Sequence, residues 1–170
     1  MIKIGNDISS FSTYSCQPKS NEELKIIIGS RISKYGPKCD LNDIDTSLIT
    51  DMSDLFYYSS FDGDISNWNV RNVKSMHEMF YYSNFNGDIS NWDVSNVENM
   101  VGMFERSKFN GDISNWDVSK VKGISYAFAL SSFNRDISNW NISKDCDVRS
   151  MLFRCQIKEE FKPKMLRCSI

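Results

Sequence analysis

Every tryptophan in the chain lies 24 residues from the next, at Trp68, Trp92, Trp116 and Trp140. Around each the same frame returns: Phe61/Phe85/Phe109/Phe133, Asp64/Asp88/Asp112/Asp136, Ile65/Ile89/Ile113/Ile137, Val70/Val94/Val118/Ile142 and Phe80/Phe104/Phe128. A fixed period of this length leaves little choice of architecture. One supersecondary unit must stack on copies of itself, each burying the apolar face that its neighbour would otherwise expose.

Subtracting one period exposes a divergent first copy in Asp40, Leu41, Ile44, Thr46, Ile49, Met52, Leu55 and Phe56. At the other end Ile142, Val148, Met151 and Leu152 keep the frame, while Asp145 replaces the apolar Val73/Val97/Val121. The reading is five 24-residue units over 37–156, the outer two degenerate, with a lead-in and capping helix over 1–36 and a second cap over 157–170 that contains Phe161, Pro163, Met165 and Leu166. Residues 1–19 are polar and read as an extended lead-in. Ser20 followed by Glu23 forms a capping box. The spacing of Leu24, Ile27, Ile28, Ile32 and Tyr35, stopped by Gly36-Pro37, then predicts a helix to cover the first unit.

Two periods alternate inside a unit. Ile65-x-x-Trp68-x-Val70 reads as a short strand with Trp68 and Val70 inward and Asn67, Asn69 and Arg71 outward. Val73, Met76, Met79, Phe80 and Ser83 fall at three- and four-residue steps, the spacing of a two-to-three-turn helix. Strand followed by helix, repeated, predicts an α/β fold with short parallel strands and right-handed returns. Gly63, Gly87 and Gly111 are expected at positive φ in the turn back to the strand, where Arg135 takes their place in the fourth copy.

The pattern I-x-x-W-x-V-x-x-V-x-x-M-x-x-M-F-x-x-S resembles the leucine-rich repeat, whose strand half reads L-x-x-L-x-L. Within that class it is similar to the BspA-like repeats of bacterial surface proteins, in which FNGDISNWDVSNV and MxxMF recur in tandem. The likeness covers about residues 20–156. It implies a right-handed leucine-rich-repeat solenoid that binds proteins, often for adhesion at a cell surface.

Charge and motif content narrow the function classes. The net charge of −2 divides into +2 over residues 1–36, −6 over 37–156 and +2 over 157–170, so the repeat body is acidic and nucleic acid is not expected as a direct ligand. No apolar run approaches the ~20 residues that span a bilayer. The first residues carry no basic segment followed by an apolar one, so no secretory signal is read there. Five cysteines (Cys16, Cys39, Cys146, Cys155 and Cys168) form an odd set without a C-x-x-C pair, fitting neither a zinc ribbon nor a disulfide framework. The expected setting is therefore the cytoplasm, or the cell surface if a leader is removed. Cys155 stands in the column of Ser59, Ser83, Ser107 and Ser131 and reads as a small core filler. The single His77 reads as a solvated surface side chain, and no phosphate-binding loop or H-E-x-x-H occurs. The chain is expected to be a monomer without enzymatic activity, catalytic residue, metal or cofactor.

Three polar or aromatic features remain as sites. The Asp column at 40, 64, 88, 112 and 136 is expected to hold turn shape by accepting backbone amides, with calcium between turns as the competing reading. The outward strand positions Asn67, Asn69, Arg71, Asn91, Asp93, Ser95, Asn115, Asp117 and Ser119 form a polar, acidic ladder that either ties the stack together through asparagine hydrogen bonds or docks a basic protein. Tyr57, Tyr58, Tyr81 and Tyr82 follow the frame phenylalanine of two successive units and either pack between elements or form an interface hot spot. The function expected is protein binding through one or both surfaces. An intracellular inhibitor or effector that blocks a basic macromolecular surface and an exported adhesin are the alternatives.

Overall fold

The computed structural model describes residues 14–167, so the expectations for residues 1–13 and for Cys168 lie outside the described residues. Helix α1 (Asn21–Tyr35) begins where Ser20 Oγ accepts the Glu23 amide, and Glu23 Oε2 reaches back to the amide of Lys19. Gly36 ends it at φ 86°, in the left-handed region that glycine tolerates. Leu24 and Ile28 are buried in one apolar cluster with Leu41 and Ile44, so α1 covers the first repeat.

Past α1 the chain winds in coils of 24 residues: coil 1 over 37–60, coil 2 over 61–84, coil 3 over 85–108, coil 4 over 109–132 and coil 5 over 133–156. The core is a set of aromatic columns along the stack. Phe56, Phe80, Phe104 and Phe128 follow one another at 5.4–5.5 Å between ring centroids. Phe61, Phe85, Phe109 and Phe133 follow at 6.1–6.3 Å. The indoles of Trp68 and Trp92 lie 6.4 Å apart and within 2° of parallel, as do Trp116 and Trp140 at 6.4 Å and 6°. Each Trp Nε1 donates to the carbonyl 27 residues earlier: Trp68 to Leu41, Trp92 to Ile65, Trp116 to Ile89 and Trp140 to Ile113. The tryptophan thus supplies both apolar area and a bond between coils.

The backbone inside the coils overturns the α/β leucine-rich-repeat expectation. Among the described residues α1 is the only α-helix, no strand forms, and parallel pairing is confined to isolated bridges such as Asp51 with Ser75, Ser75 with Asn99 and Asn99 with Gly123. The expected strand fails because its amides are spent locally: Trp68 N donates to Ile65 O and Val73 N to Val70 O, closing tight turns. The expected helix over 73–83 fails because Glu78 (φ 48°) and Tyr82 (φ 49°) are left-handed, which no right-handed helix allows. Alternate amides there leave the segment altogether. Met76, Glu78, Phe80 and Tyr82 donate to Asn99, Val101, Met103 and Glu105 of the next coil.

The same pattern holds at all four junctions between coils, with N···O distances of 2.8–3.1 Å. The carbonyl of Met79 and the amide of Phe80 belong to one peptide group, which accepts from Phe56 and donates to Met103. Four such chains of peptide groups run the length of the stack, every amide pointing towards coil 5 and every carbonyl towards coil 1. A β-sheet mixes the two directions and carries little net dipole. This ladder separates them, although flanking bonds such as Lys74 N to Thr50 O and Lys108 N to Ser83 O run the other way.

Gly63, Gly87 and Gly111 do not take positive φ. Their role is clearance. A Cβ at Gly63 would lie 2.1 Å from Cys39 O and 2.7 Å from the Phe61 ring, and one at Gly87 or Gly111 would meet Phe85 or Phe109 at 2.7–2.8 Å. In coil 5 Arg135 stands in place of the glycine, and its Nε donates to Asn110 O. After coil 5 the chain keeps the frame briefly. Ile157 is buried, Phe161 O accepts the Ile137 amide, and two 3₁₀ turns (Glu159–Phe161 and Lys164–Leu166) follow.

Candidate functional site

The four tyrosines are brought together on the surface. Tyr57 and Tyr58 end the ladder segment of coil 1, and Tyr81 and Tyr82 end that of coil 2, so the 24-residue offset stacks them pairwise. Ring centroids are 4.9 Å apart for Tyr57 and Tyr81 and 4.8 Å for Tyr58 and Tyr82, with Tyr57 also 4.9 Å from Tyr58. Tyr57, Tyr58 and Tyr82 keep 44%, 59% and 52% of their surface in water, while Tyr81 is half-buried. Left-handed backbone at Tyr58 (φ 51°) and Tyr82 (φ 49°) aims those two rings outward. Burial, and after it the neighbouring charges, push the Tyr57 and Tyr81 hydroxyls above the ordinary tyrosine range. The same two columns continue as Glu105 and Arg106, whose side chains pair at 3.8 Å and border the tyrosines. Burial raises the Glu105 carboxyl.

The second candidate surface is outward-facing as expected. Asn67, Asn69, Arg71, Asn91, Asp93, Asn115, Asp117 and Ser119 are exposed and Ser95 is half-buried. Its hydrogen bonds differ from the asparagine ladder anticipated there. Asn69, Asp93 and Asp117 accept the amides of Arg71, Ser95 and Ser119 two residues on, closing their own turns. Hydrogen bonds from Ser95 and Ser119 hold Asp93 and Asp117 below the usual carboxylate range. Arg71 lies 3.8 Å from Asp93 in the next coil. The side-chain ladder that does run along the stack was not singled out from sequence. Asp62, Asn86, Asn110 and Asn134 accept, through Oδ1, the amides of Asn86, Asn110, Asn134 and Lys158. Its signal was present as a 24-residue column beside the phenylalanines.

The Asp column does what a turn cap does: Asp40, Asp64, Asp88, Asp112 and Asp136 accept the amides two residues on. These bonds lower the carboxyls of Asp64, Asp88, Asp112 and Asp136. His77 is half-exposed, with Nδ1 4.0 Å from Asp54 and Nε2 3.9 Å from Glu78. One ligand atom from each of these three side chains lies within 4.8 Å of the other two. Cys155 is half-buried, with Sγ 3.2 Å from Phe133 O, and the four described cysteines are free thiols.

Stacked coils and a surface laid out in columns place the chain among the repeat proteins. The chain belongs to the family described as Mycoplasma protein of unknown function, DUF285, whose model matches it in two overlapping stretches, residues 31–129 and 81–163. That match agrees with a tandem repeat of BspA type, and it does not carry the leucine-rich-repeat geometry, which the turns of this backbone replace. No curated protein and no solved structure matches the chain.

Proposed function

We propose that the protein is a non-enzymatic binding module that docks another protein on the tyrosine patch of Tyr57, Tyr58, Tyr81 and Tyr82. The observation that carries this reading is the two-by-two stack itself. Three of its rings are about half in water, yet all four are held by each other and by the ladder. Rings already fixed lose little freedom on binding, and tyrosine is enriched among residues that dominate interface energies. The outward ladder extends the surface with ionised Asp93 and Asp117, so the fitting partner presents basic groups around an apolar or aromatic centre. An intracellular inhibitor that occupies such a surface is the setting in which we place it.

The test is a double variant, Tyr58→Gly with Tyr82→Gly. Glycine accepts the left-handed backbone at both positions, so the rings are removed without adding strain. Capture of partners from cell extract by the wild type, and loss of the same bands with the double variant at unchanged melting temperature, supports the patch. Retained capture refutes it.

A further inference from the structure

The directional ladder has two unlike ends. At coil 1 the carbonyl end lies under α1, where Asn21 Nδ2 donates to Ser53 O and Leu24 and Ile28 are buried. At coil 5 the amides of Val148, Ser150, Leu152 and Arg154 occupy the places that donate to a following coil everywhere else, and among the described residues none has an acceptor. Ser150 and Arg154 are exposed, and Val148 and Leu152 are half-buried. The chain after 156 covers the tryptophan side of coil 5 and leaves this row open, with Lys164 and Met165 beside residues 138–142.

We propose that this row of amides is a docking edge for an acidic peptide segment. Four parallel donors, each ending a hydrogen-bonded chain of peptide dipoles, attract negative charge as aligned peptide groups do at a helix start. Beside the row Arg149 is paired with Asp147 at 2.7 Å, which leaves the Arg154 guanidinium as the cation next to the open amides. Phe153 is 50% exposed, with the Arg154 guanidinium 5.3 Å above its ring, which gives the edge an apolar and cationic rim.

The same geometry rejects two other occupants. An ordinary β-strand shows amides between its carbonyls along each edge, and those amides would face the donors of coil 5. A second copy of the chain would have to offer its carbonyl end, where Asn21 of α1 already occupies Ser53 O. Carboxylates at alternate residues of a bound peptide supply acceptors without donors. The protein shows the spacing required, since the equivalent amides of coils 1–4 all meet acceptors from alternate residues of the adjoining coil.

The experiment is an amide NMR titration of the full chain with an end-blocked peptide of alternating Glu and Ser, with Gln–Ser and Lys–Ser peptides as controls. The expected result is saturable shifts at Val148, Ser150, Leu152 and Arg154 with the Glu peptide only. Arg154→Gln and Ser150→Asp, both compatible with the left-handed backbone, should each weaken binding by about tenfold. Three results would overturn the proposal: no saturable shift, shifts confined to residues 158–167, or equal binding of the Gln peptide. A doubling of mass in light scattering would overturn it as well, by showing that a second copy fills the edge.

Discussion

Replacing Trp92 by alanine removes the side chain that serves coils 2 and 3 at once. Its ring is 4% exposed, stacks with Trp68 and meets Phe80 at 6.4 Å, and its Nε1 bonds Ile65 O at 3.2 Å. A buried Trp→Ala change costs about 3–5 kcal/mol in lost burial and cavity. The indole hydrogen bond adds about 0.5–1.5 kcal/mol. It adds no more because Ile65 O also accepts the Trp68 amide and is not orphaned. With a urea slope of about 2 kcal/mol per M, the midpoint should fall by about 2–3 M. Trp92→Phe, which keeps most of the ring and loses only the donor and part of the area, should fall by less than half of that. Far-UV circular dichroism is the probe of choice, since fluorescence would change with the residue itself. A midpoint within about 0.3 M of wild type for Trp92→Ala would refute the reasoning that the indole column holds the coils together.

Gly63→Ala should destabilise by roughly 1–3 kcal/mol in the same assay, because its Cβ would lie 2.1 Å from a backbone carbonyl. Gly111→Ala, whose nearest backbone carbonyl is 3.6 Å away, should cost less, and the reverse order would show that clearance is not the reason for these glycines. Arg106→Gly should be neutral or stabilising by up to about 1 kcal/mol, since Arg106 sits at φ 56°; a clear loss of stability would mean that its ion pair with Glu105 outweighs the backbone term. The lowered carboxyls of the Asp column predict acid lability. Their stabilisation is full above the unfolded value of about 3.9 and is lost as pH falls through the lower folded values. The wild-type melting temperature should therefore fall further between pH 7 and pH 3 than that of Asp88→Asn, whose side-chain oxygen still accepts the Ser90 amide; equal falls would contradict the assignment.

Period and side-chain chemistry carried the core. Trp, Ile, Val, Met and Phe of the frame are buried through coils 1–4 as their columns require, and the Ser20 box opens α1. The backbone was not legible, because two structures share one apolar spacing. Steps of three and four at Val73, Met76, Met79 and Phe80 describe a helix face, and they equally describe turns reset by a left-handed residue every fourth place. That column holds Asp54, Glu78, Gly102, Tyr126 and Ser150, and among them only Gly102 advertises its conformation. For the candidate site the pairing of the tyrosines followed from the period, whereas their outward aim depends on φ at Tyr58 and Tyr82. The open amides of coil 5 could not be foreseen while the segment was read as helical.

A coil whose ladder segment donates hydrogen bonds only to the coil above and accepts them only from the coil below can be joined to a like coil in one sense alone. Duplicating or deleting a whole 24-residue turn within the middle of the chain leaves every junction matched, whereas inverting a turn would set donor against donor. Lineages that change the height of such a column are thereby confined to whole steps taken in a single direction.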